Sequence, residues 1–188
     1  LHLREVEVQC LGDVSDDDRH HGMGLVVEYA GLQGKPQWIA PQQVHWDYLH
    51  FGNAAGPEAQ PDEVFEMTFA KRNAALDGLN QWTIDGTPYP DETMMAPPLF
   101  HLVAGRRYRI RMRNASDDTH PVHLHRHSFE LTRIAGKAVS GVIKDVVMLG
   151  GYQEAEVDFV ADNPGMTLFH CHQQLHMDFC FMCLFDYV

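Results

Sequence analysis

A strict alternation of arginine with apolar residues over residues 107–113 is the feature that most constrains the fold of this chain. Tyr108, Ile110 and Met112 fall on one side of an extended segment, and four arginines fall on the other. This period of two is typical of a strand with one buried face. Further strand-like segments are residues 64–70, 82–86, 122–133, 142–149, 154–161, 166–172 and 181–187. Short strands at this spacing predict an all-β sandwich or Greek-key barrel, with one helical turn over residues 173–179.

The N-terminal part of the chain has a weaker pattern. Residues 5–8 and 24–29 predict two strands, whereas residues 31–61 combine Gly, Pro and Gln with aromatic residues at irregular spacing. Such a segment is typical of a docked connector, since it offers too few apolar residues for a core of its own. We therefore divide the chain into an N-terminal extension, residues 1–61, and a domain, residues 62–188.

Charge and hydropathy argue against two classes of protein. The 188 residues include 14 Lys and Arg against 26 Asp and Glu, a formal charge of -12, which disfavours a nucleic-acid binder because phosphate contacts require a basic face. No apolar run reaches the length of about 18 residues that a membrane-spanning helix needs. Of the four cysteines, Cys171, Cys180 and Cys183 lie close together in sequence, which is not the framework of a disulfide-rich scaffold.

Histidine is the unusual element of the composition, with 13 copies. Two segments concentrate it: His120-Pro-Val-His-Leu-His125 and His170-Cys-His-Gln-Gln-Leu-His176. In an extended backbone, side chains two residues apart leave the same face. His123 and His125 therefore share a face, and so do His170 and His172, while Cys171 points to the opposite side.

These positions sort the potential metal ligands into two sets. His120 and His176 lie outside the pairs and are free to join Cys171, which gives the two-histidine, one-cysteine set of blue-copper electron-transfer sites. The remaining set, His123, His125, His170 and His172, contains only imidazoles and suits copper that handles oxygen. Because Cys171 is bonded to two residues of the second set, an electron on the first set would have a short covalent route to the second.

Two other interpretations stay open from the residues alone. The histidines could be packed or surface residues with ordinary hydrogen bonds. One cysteine with three histidines could also form a tetrahedral zinc site, although that would leave further histidines unexplained.

The two histidine segments resemble the C-terminal domain of the multicopper oxidases, the family of laccases and related copper enzymes. Residues 162–165, Asp-Asn-Pro-Gly, also match the approach to the second segment. The resemblance covers about residues 63–188 and implies a cupredoxin-like Greek-key β-barrel with an N-terminal extension. It further implies that residues 1–61 are the end of a preceding domain and an interdomain linker, and that residues 62–188 are the C-terminal cupredoxin domain.

The resemblance also implies roles for the site residues. His120, Cys171 and His176 would ligate the type 1 copper, which takes electrons from substrate, and His123 would serve the type 2 copper. The type 3 pair would be served by His125, His170 and His172. Cys171 with its two flanking histidines would carry electrons to the trinuclear cluster, where O2 is reduced to water.

Two positions depart from the family pattern. The axial position of the type 1 copper normally holds Met or Leu and is Phe181 here, which cannot coordinate and would leave a three-coordinate copper with a raised reduction potential. The preceding position is commonly Gly and is Cys180 here, which puts the local turn in question.

Half of the family's cluster ligands are missing from this sequence. The family takes four further histidines from two H-x-H pairs in an N-terminal domain, and the histidines outside the two segments form no such pairs among themselves. We therefore expect the chain to act with complementary N-terminal multicopper oxidase domains, a phenolic or similar electron donor and O2, in the periplasm or outside the cell. A stand-alone blue-copper electron carrier is the alternative, and a cuprous oxidase or copper-resistance protein, with Met94-Met95 as its only methionine candidate, is a weaker one.

Three more residues are possible contributors near the copper strands. Asp145 and Glu130 could assist the ligands or relay protons, although Asp145 could equally be a structural residue at a strand end. His127 lies in phase with His123 and His125, and we expect it to be a bystander near the surface.

Overall fold

The computed structural model describes residues 4–7, 24–27, 30–31, 47–89 and 97–188, and the chain divides into two compact units, Leu1–His45 and Trp46–Val188. In the first unit, strands β1 (Arg4–Glu7) and β2 (Gly24–Val27) pair in antiparallel fashion. Both overlap the strands predicted there. The methionine candidate Met94-Met95 and most of the predicted connector before residue 47 lie outside the described residues.

The second unit consists of two sheets. One has five strands in the order β10-β7-β12-β13-β5, and the other has six in the order β4-β3-β6-β11-β8-β9. The strands of the six-stranded sheet are β3 (Glu63–Leu76), β4 (Leu79–Ile84), β6 (Arg107–Asn114), β8 (Phe129–Ile134), β9 (Lys137–Lys144) and β11 (Glu154–Val160). Those of the five-stranded sheet are β5 (Phe100–Leu102), β7 (His120–Leu124), β10 (Val146–Leu149), β12 (Thr167–Cys171) and β13 (Met182–Tyr187). The predicted all-β sandwich is confirmed.

The alternation over residues 107–113 has the predicted result in β6. Its apolar residues Tyr108, Ile110 and Met112 are buried in the core, and its arginines point to the other face. There Arg107 and Arg109 both donate hydrogen bonds to the side chain of Asp158 in β11, which is fully buried. This face of the six-stranded sheet, hereafter the arginine face, therefore carries a row of ion pairs.

Residues 47–61 belong to the second unit and pack against strands of its two sheets. The 3-10 helix Tyr48–His50 begins after Asp47, and the Tyr48 hydroxyl accepts a hydrogen bond of 2.8 Å from the Met148 backbone. Asn53 forms a β-bridge with Ser140. At Gly52 an added Cβ would lie 2.5 Å from Cγ2 of Val139, so only glycine allows this close approach. These contacts agree with a docked connector over residues 47–61, while the proposed domain boundary after residue 61 stays a prediction.

A short helix, α1 (Gln174–Asp178), connects β12 to β13, as predicted. Its only buried residue is His176, which it turns back toward the end of β12. Among the described residues, no helix is long and apolar enough to cross a membrane.

Candidate metal centre

The register of β7 and β12 places the two histidine segments side by side. His170 is directly opposite His123, and Cys171 is directly opposite Val122. Because successive side chains of a strand leave opposite faces, His120, Val122 and Cys171 point into the core, whereas His123 and His170 leave the outer face. The pleat of two neighbouring strands thus separates the ligands into one buried and one outer group.

The buried group, hereafter the cysteine site, consists of His120, Cys171 and His176. The Cys171 Sγ lies 3.5 Å from Nδ1 of His176 and 3.7 Å from Nδ1 of His120, and the two Nδ1 atoms are 3.1 Å apart. All three residues are buried. Two imidazole nitrogens and one thiol sulfur therefore converge on one point inside the sandwich.

A chain of hydrogen bonds fixes the tautomer of His120. The Asn114 amide nitrogen donates to the carbonyl oxygens of Asp118 and Gly150, at 2.7 and 2.9 Å, so its Oδ1 faces Ser116. The Ser116 hydroxyl donates to that oxygen at 2.8 Å and accepts from Nε2 of His120 at 3.0 Å. His120 consequently carries its proton on Nε2 and leaves the Nδ1 lone pair for a metal.

Phe181 closes one side of the cysteine site. Its ring is fully buried and meets the ring of His120 edge-on at a centroid distance of 4.7 Å. An aromatic ring has no donor atom for a metal, so this side of the cysteine site is apolar. The preceding residue, Cys180, has a φ angle of +79°, the left-handed conformation that glycine adopts without a steric penalty. Cys180 thus adopts a backbone conformation that glycine favours, although it carries a Cβ.

Burial controls the protonation of the cysteine site. It lowers the pKa of His120 from 6.5 to about 4, with a smaller contribution from the nearby His176, and it also lowers the pKa of His176. Both imidazoles are therefore neutral at neutral pH and can offer a lone pair. Burial raises the pKa of the Cys171 thiol to about 11, so binding of a metal ion would have to displace its proton.

The outer group, hereafter the histidine face, brings together His123, His125 and His170. The Nε2 atoms of His125 and His170 are 2.9 Å apart. His123 donates from Nδ1 to the carbonyl oxygen of Asp145 at 2.6 Å, and His170 donates from Nδ1 to the carbonyl oxygen of Cys171 at 2.8 Å. These bonds leave Nε2 of both rings available as ligands.

His172 lies at the border of the histidine face. Its ring centroid is 5.6 Å from that of His170 and 5.9 Å from that of His123, and its side chain is exposed. The pKa of His125 and that of His170 are lowered, mainly by burial and then by neighbouring groups that include the other histidines of the face. The face is thus a set of imidazoles available for metal binding and open to solvent on one side.

The donor chemistry of both groups fits copper. The cysteine site offers the soft thiolate and two imidazoles of a trigonal blue-copper site. Among the described residues that group holds three donors, whereas the tetrahedral zinc site considered above would need a third histidine. The histidine face offers imidazole nitrogens alone, which suit copper as well as zinc, iron and nickel.

The other candidate residues have different surroundings. Asp145 contacts the histidine face through its backbone carbonyl oxygen, which accepts the hydrogen bond from His123. Glu130 accepts a hydrogen bond from Arg107 in the six-stranded sheet, so it lies on the arginine face. His127 is buried, contrary to expectation, because its ring is enclosed between Tyr187, which contacts Nε2 at 2.6 Å, and Phe159. The sequence carried no signal for the supporting roles of Asn114 and Ser116.

Comparison with known proteins gives a consistent result. The family model for multicopper oxidases matches residues 57–187. Multicopper oxidase MmcO of Mycobacterium tuberculosis is 35% identical over 167 residues, which are 85% of this chain and 30% of that protein. Laccase-4 of Trametes villosa is 36% identical over 84 residues, 42% of this chain and 16% of that protein. This chain therefore spans less than a third of the length of these relatives.

Solved structures agree with the sequence relatives. A multicopper oxidase from Pseudomonas thermotolerans superposes with a TM-score of 0.57 and 26% identity, over 82% of this chain and 36% of that one. The structure of Fet3p, described as a multicopper oxidase that functions in iron import, superposes over 93% of this chain with a TM-score of 0.63. The predicted cupredoxin-like fold is confirmed, and the chain belongs to the multicopper oxidase family.

Proposed function

We propose that this chain contributes the type 1 copper site and half of the oxygen-reducing cluster of a laccase-like multicopper oxidase. The enzyme would oxidise a phenolic or similar one-electron donor and reduce O2 to water. The relatives named laccase support this class of donor. We assign the complete reaction to an assembly that includes complementary N-terminal domains, in the periplasm or outside the cell.

The observation that carries this proposal is the back-to-back arrangement of the two sites across β12. The Cys171 sulfur belongs to the buried cysteine site. On either side of it in sequence, His170 is part of the histidine face and His172 lies at the border of that face. Two unrelated metal sites would not be expected to take their ligands from three consecutive residues. A donor-side site linked covalently to an oxygen-side site is what a multielectron oxidase requires.

The residues of the cysteine site and of the histidine face have different roles, according to their surroundings. Copper, when bound, supplies the one-electron redox chemistry that no side chain of the protein offers. His120, Cys171 and His176 would hold it in the water-excluded interior, where the buried ring of Phe181 offers no donor atom. His123 would serve the type 2 position, and His125, His170 and His172 the type 3 positions. The hydrogen bonds from Nδ1 of His123 and His170 orient the rings for this purpose.

The peptide between Cys171 and its neighbours provides the path for electrons. His170 donates a hydrogen bond to the carbonyl oxygen of Cys171, which closes a second connection between the two residues beside their covalent bond. Both connections lie within one rigid strand, paired on one side with β7 and on the other with β13. The chain therefore keeps the distance between the sites fixed during turnover.

Copper stoichiometry and oxygen uptake test the proposal. The chain is loaded with copper and assayed with a phenol, alone and after addition of an N-terminal multicopper oxidase fragment that contains two H-x-H pairs. We expect intense visible absorption from the chain alone and oxygen uptake only in the mixture. Absence of uptake in the mixture, with four coppers bound, would contradict the oxidase function.

A stand-alone blue-copper electron carrier is the second candidate function. It is favoured by the absence of any further H-x-H pair outside residues 120–127 and 170–176 of the sequence. This function predicts one copper per chain, with intense visible absorption and no oxygen uptake under either condition. Oxidation of cuprous ions in place of the phenol in the same assay would indicate the weaker alternative, a cuprous oxidase.

A further inference from the structure

Trp82 lies against the cysteine site although it is distant from it in sequence. It belongs to β4 of the six-stranded sheet, is 4% exposed, and stacks on the ring of His176 with a centroid distance of 4.2 Å and an interplanar angle of 26°. Its backbone nitrogen donates to the carbonyl oxygen of Phe179, just after α1, at 3.0 Å. The indole therefore covers one face of an imidazole that would be a copper ligand.

Asp118 holds the indole in this position. Nε1 of Trp82 donates to Oδ2 of Asp118 at 3.0 Å, and the same oxygen pairs with Nζ of Lys71 at 3.1 Å. The backbone carbonyl of Asp118 also accepts the hydrogen bond from Asn114 that begins the chain to His120. Asp118 thus contributes to the position of both imidazoles. Its carboxylate holds Trp82, which stacks on His176. Its backbone carbonyl holds Asn114, where the hydrogen-bond chain to His120 begins.

We propose that Trp82 is a positioning residue of the cysteine site, which fixes the ring plane of His176 and excludes water from that face of the ring. This inference rests on the proposed function, because it concerns copper bound by His120, Cys171 and His176. Trp82 has no lone pair directed at the site and binds no copper itself. It acts only through His176.

The physical basis is the dependence of a metal site on its surroundings. The apolar shell controls solvent access and local dielectric, and hence the reduction potential, while groups that orient a ligand raise the metal affinity. Water admitted next to His176 would stabilise cupric copper more than cuprous copper, because hydration favours the higher charge. Loss of the indole should therefore lower the potential and loosen the ligand.

Two substitutions of Trp82 separate the effect of its ring surface over His176 from the effect of its hydrogen bond to Asp118. Trp82→Leu removes the flat surface over His176, and Trp82→Phe keeps a smaller ring without the bond to Asp118. We expect Trp82→Leu to reduce copper affinity about tenfold, to change the visible absorption and to lower the reduction potential. Trp82→Phe should change the same three quantities in the same direction but less.

Phe159→Leu is the control, since Phe159 is equally buried but contacts His127, Tyr108 and Phe185 and not the cysteine site. It should lower the melting temperature and leave the potential and the absorption unchanged. The proposal is overturned if both Trp82 variants keep the parent's potential and absorption, or if Trp82→Phe does so when Trp82→Leu does not fold. A parent protein that binds no copper in the cysteine site would instead defeat the proposed function itself.

Discussion

Cys171 and His170 are consecutive residues of β12 whose side chains leave opposite faces of the five-stranded sheet. The first meets His120 and His176 in the buried interior, and the second meets His123 and His125 on the outer face. A single peptide bond therefore joins the cysteine site to the histidine face. This relationship makes the two sites separable by mutation although they are adjacent in the chain.

Replacement of the sulfur should affect the cysteine site alone. Cys171→Ser removes the only thiolate among its three donors, so we expect the loss of one bound copper and of the intense visible absorption. Metal analysis and absorption spectroscopy of the loaded chain measure this. Cys180→Ser is the matched control, because Cys180 is a free cysteine outside the donor group, and it should retain both signals. Equal losses in the two variants would show that Cys171 is not the ligand.

Glycine at position 180 should stabilise the fold. Cys180 has a φ angle of +79°, which costs a residue with a Cβ about 1 kcal/mol relative to glycine. We expect Cys180→Gly to raise the free energy of unfolding by about 0.5–1 kcal/mol, measured by urea denaturation of the metal-free protein. Cys180→Ala also removes the sulfur but keeps the Cβ, so it isolates the backbone effect. Equal stability of the Gly and Ala variants would contradict the explanation.

Acid should destabilise the metal-free protein through His120. Its pKa is about 4 in the folded state against an ordinary 6.5, so between these pH values the unfolded chain binds a proton that the folded chain does not. Stability therefore falls as the pH decreases through this range, by about 2 kcal/mol from this residue between pH 7 and pH 5. Urea midpoints at several pH values measure it. The His120→Asn variant should lose this part of the dependence, and an unchanged slope would refute the assignment to His120.

The ion pairs on the arginine face should differ in strength according to burial. Asp158→Ala would leave the guanidinium groups of Arg107 and Arg109 without their buried partner, and we expect a loss of about 3 kcal/mol in the free energy of unfolding. Glu154→Ala, in the same strand, removes an exposed carboxylate 4.0 Å from Arg113 and should cost less than about 0.5 kcal/mol. Similar losses in the two variants would show that burial does not set the strength of these pairs.

The local backbone geometry of the site could be predicted from the sequence. The opposite orientation of Cys171 relative to His170 depends only on the period of a strand, and the burial of alternate residues in β6 depends on the same property. The position of α1 could be predicted because residues 173–179 lie between two segments with a strand pattern. In each case the determining interactions lie within a few residues of one another in the chain.

Contacts between distant segments could not be predicted in this way. The near-surface position expected for His127 was wrong, because the strand ends at Leu124 and the turn that follows redirects the ring toward Tyr187. No pattern in the sequence indicated that Trp82 stacks on His176. Such contacts depend on how the two sheets and their loops pack, which no local period encodes.

The sequence by itself determined the donor types, their division between two faces of β12 and the family. Only the tertiary structure decided that the Nδ1 atoms of His120 and His176 lie within 3.7 Å of the Cys171 sulfur, and that Trp82 and Asp118 enclose that site. The physical reason is the range of the interactions. A strand's alternation is fixed by its own backbone, whereas the distance between donors from separate segments is set by strand register and by close packing of the core.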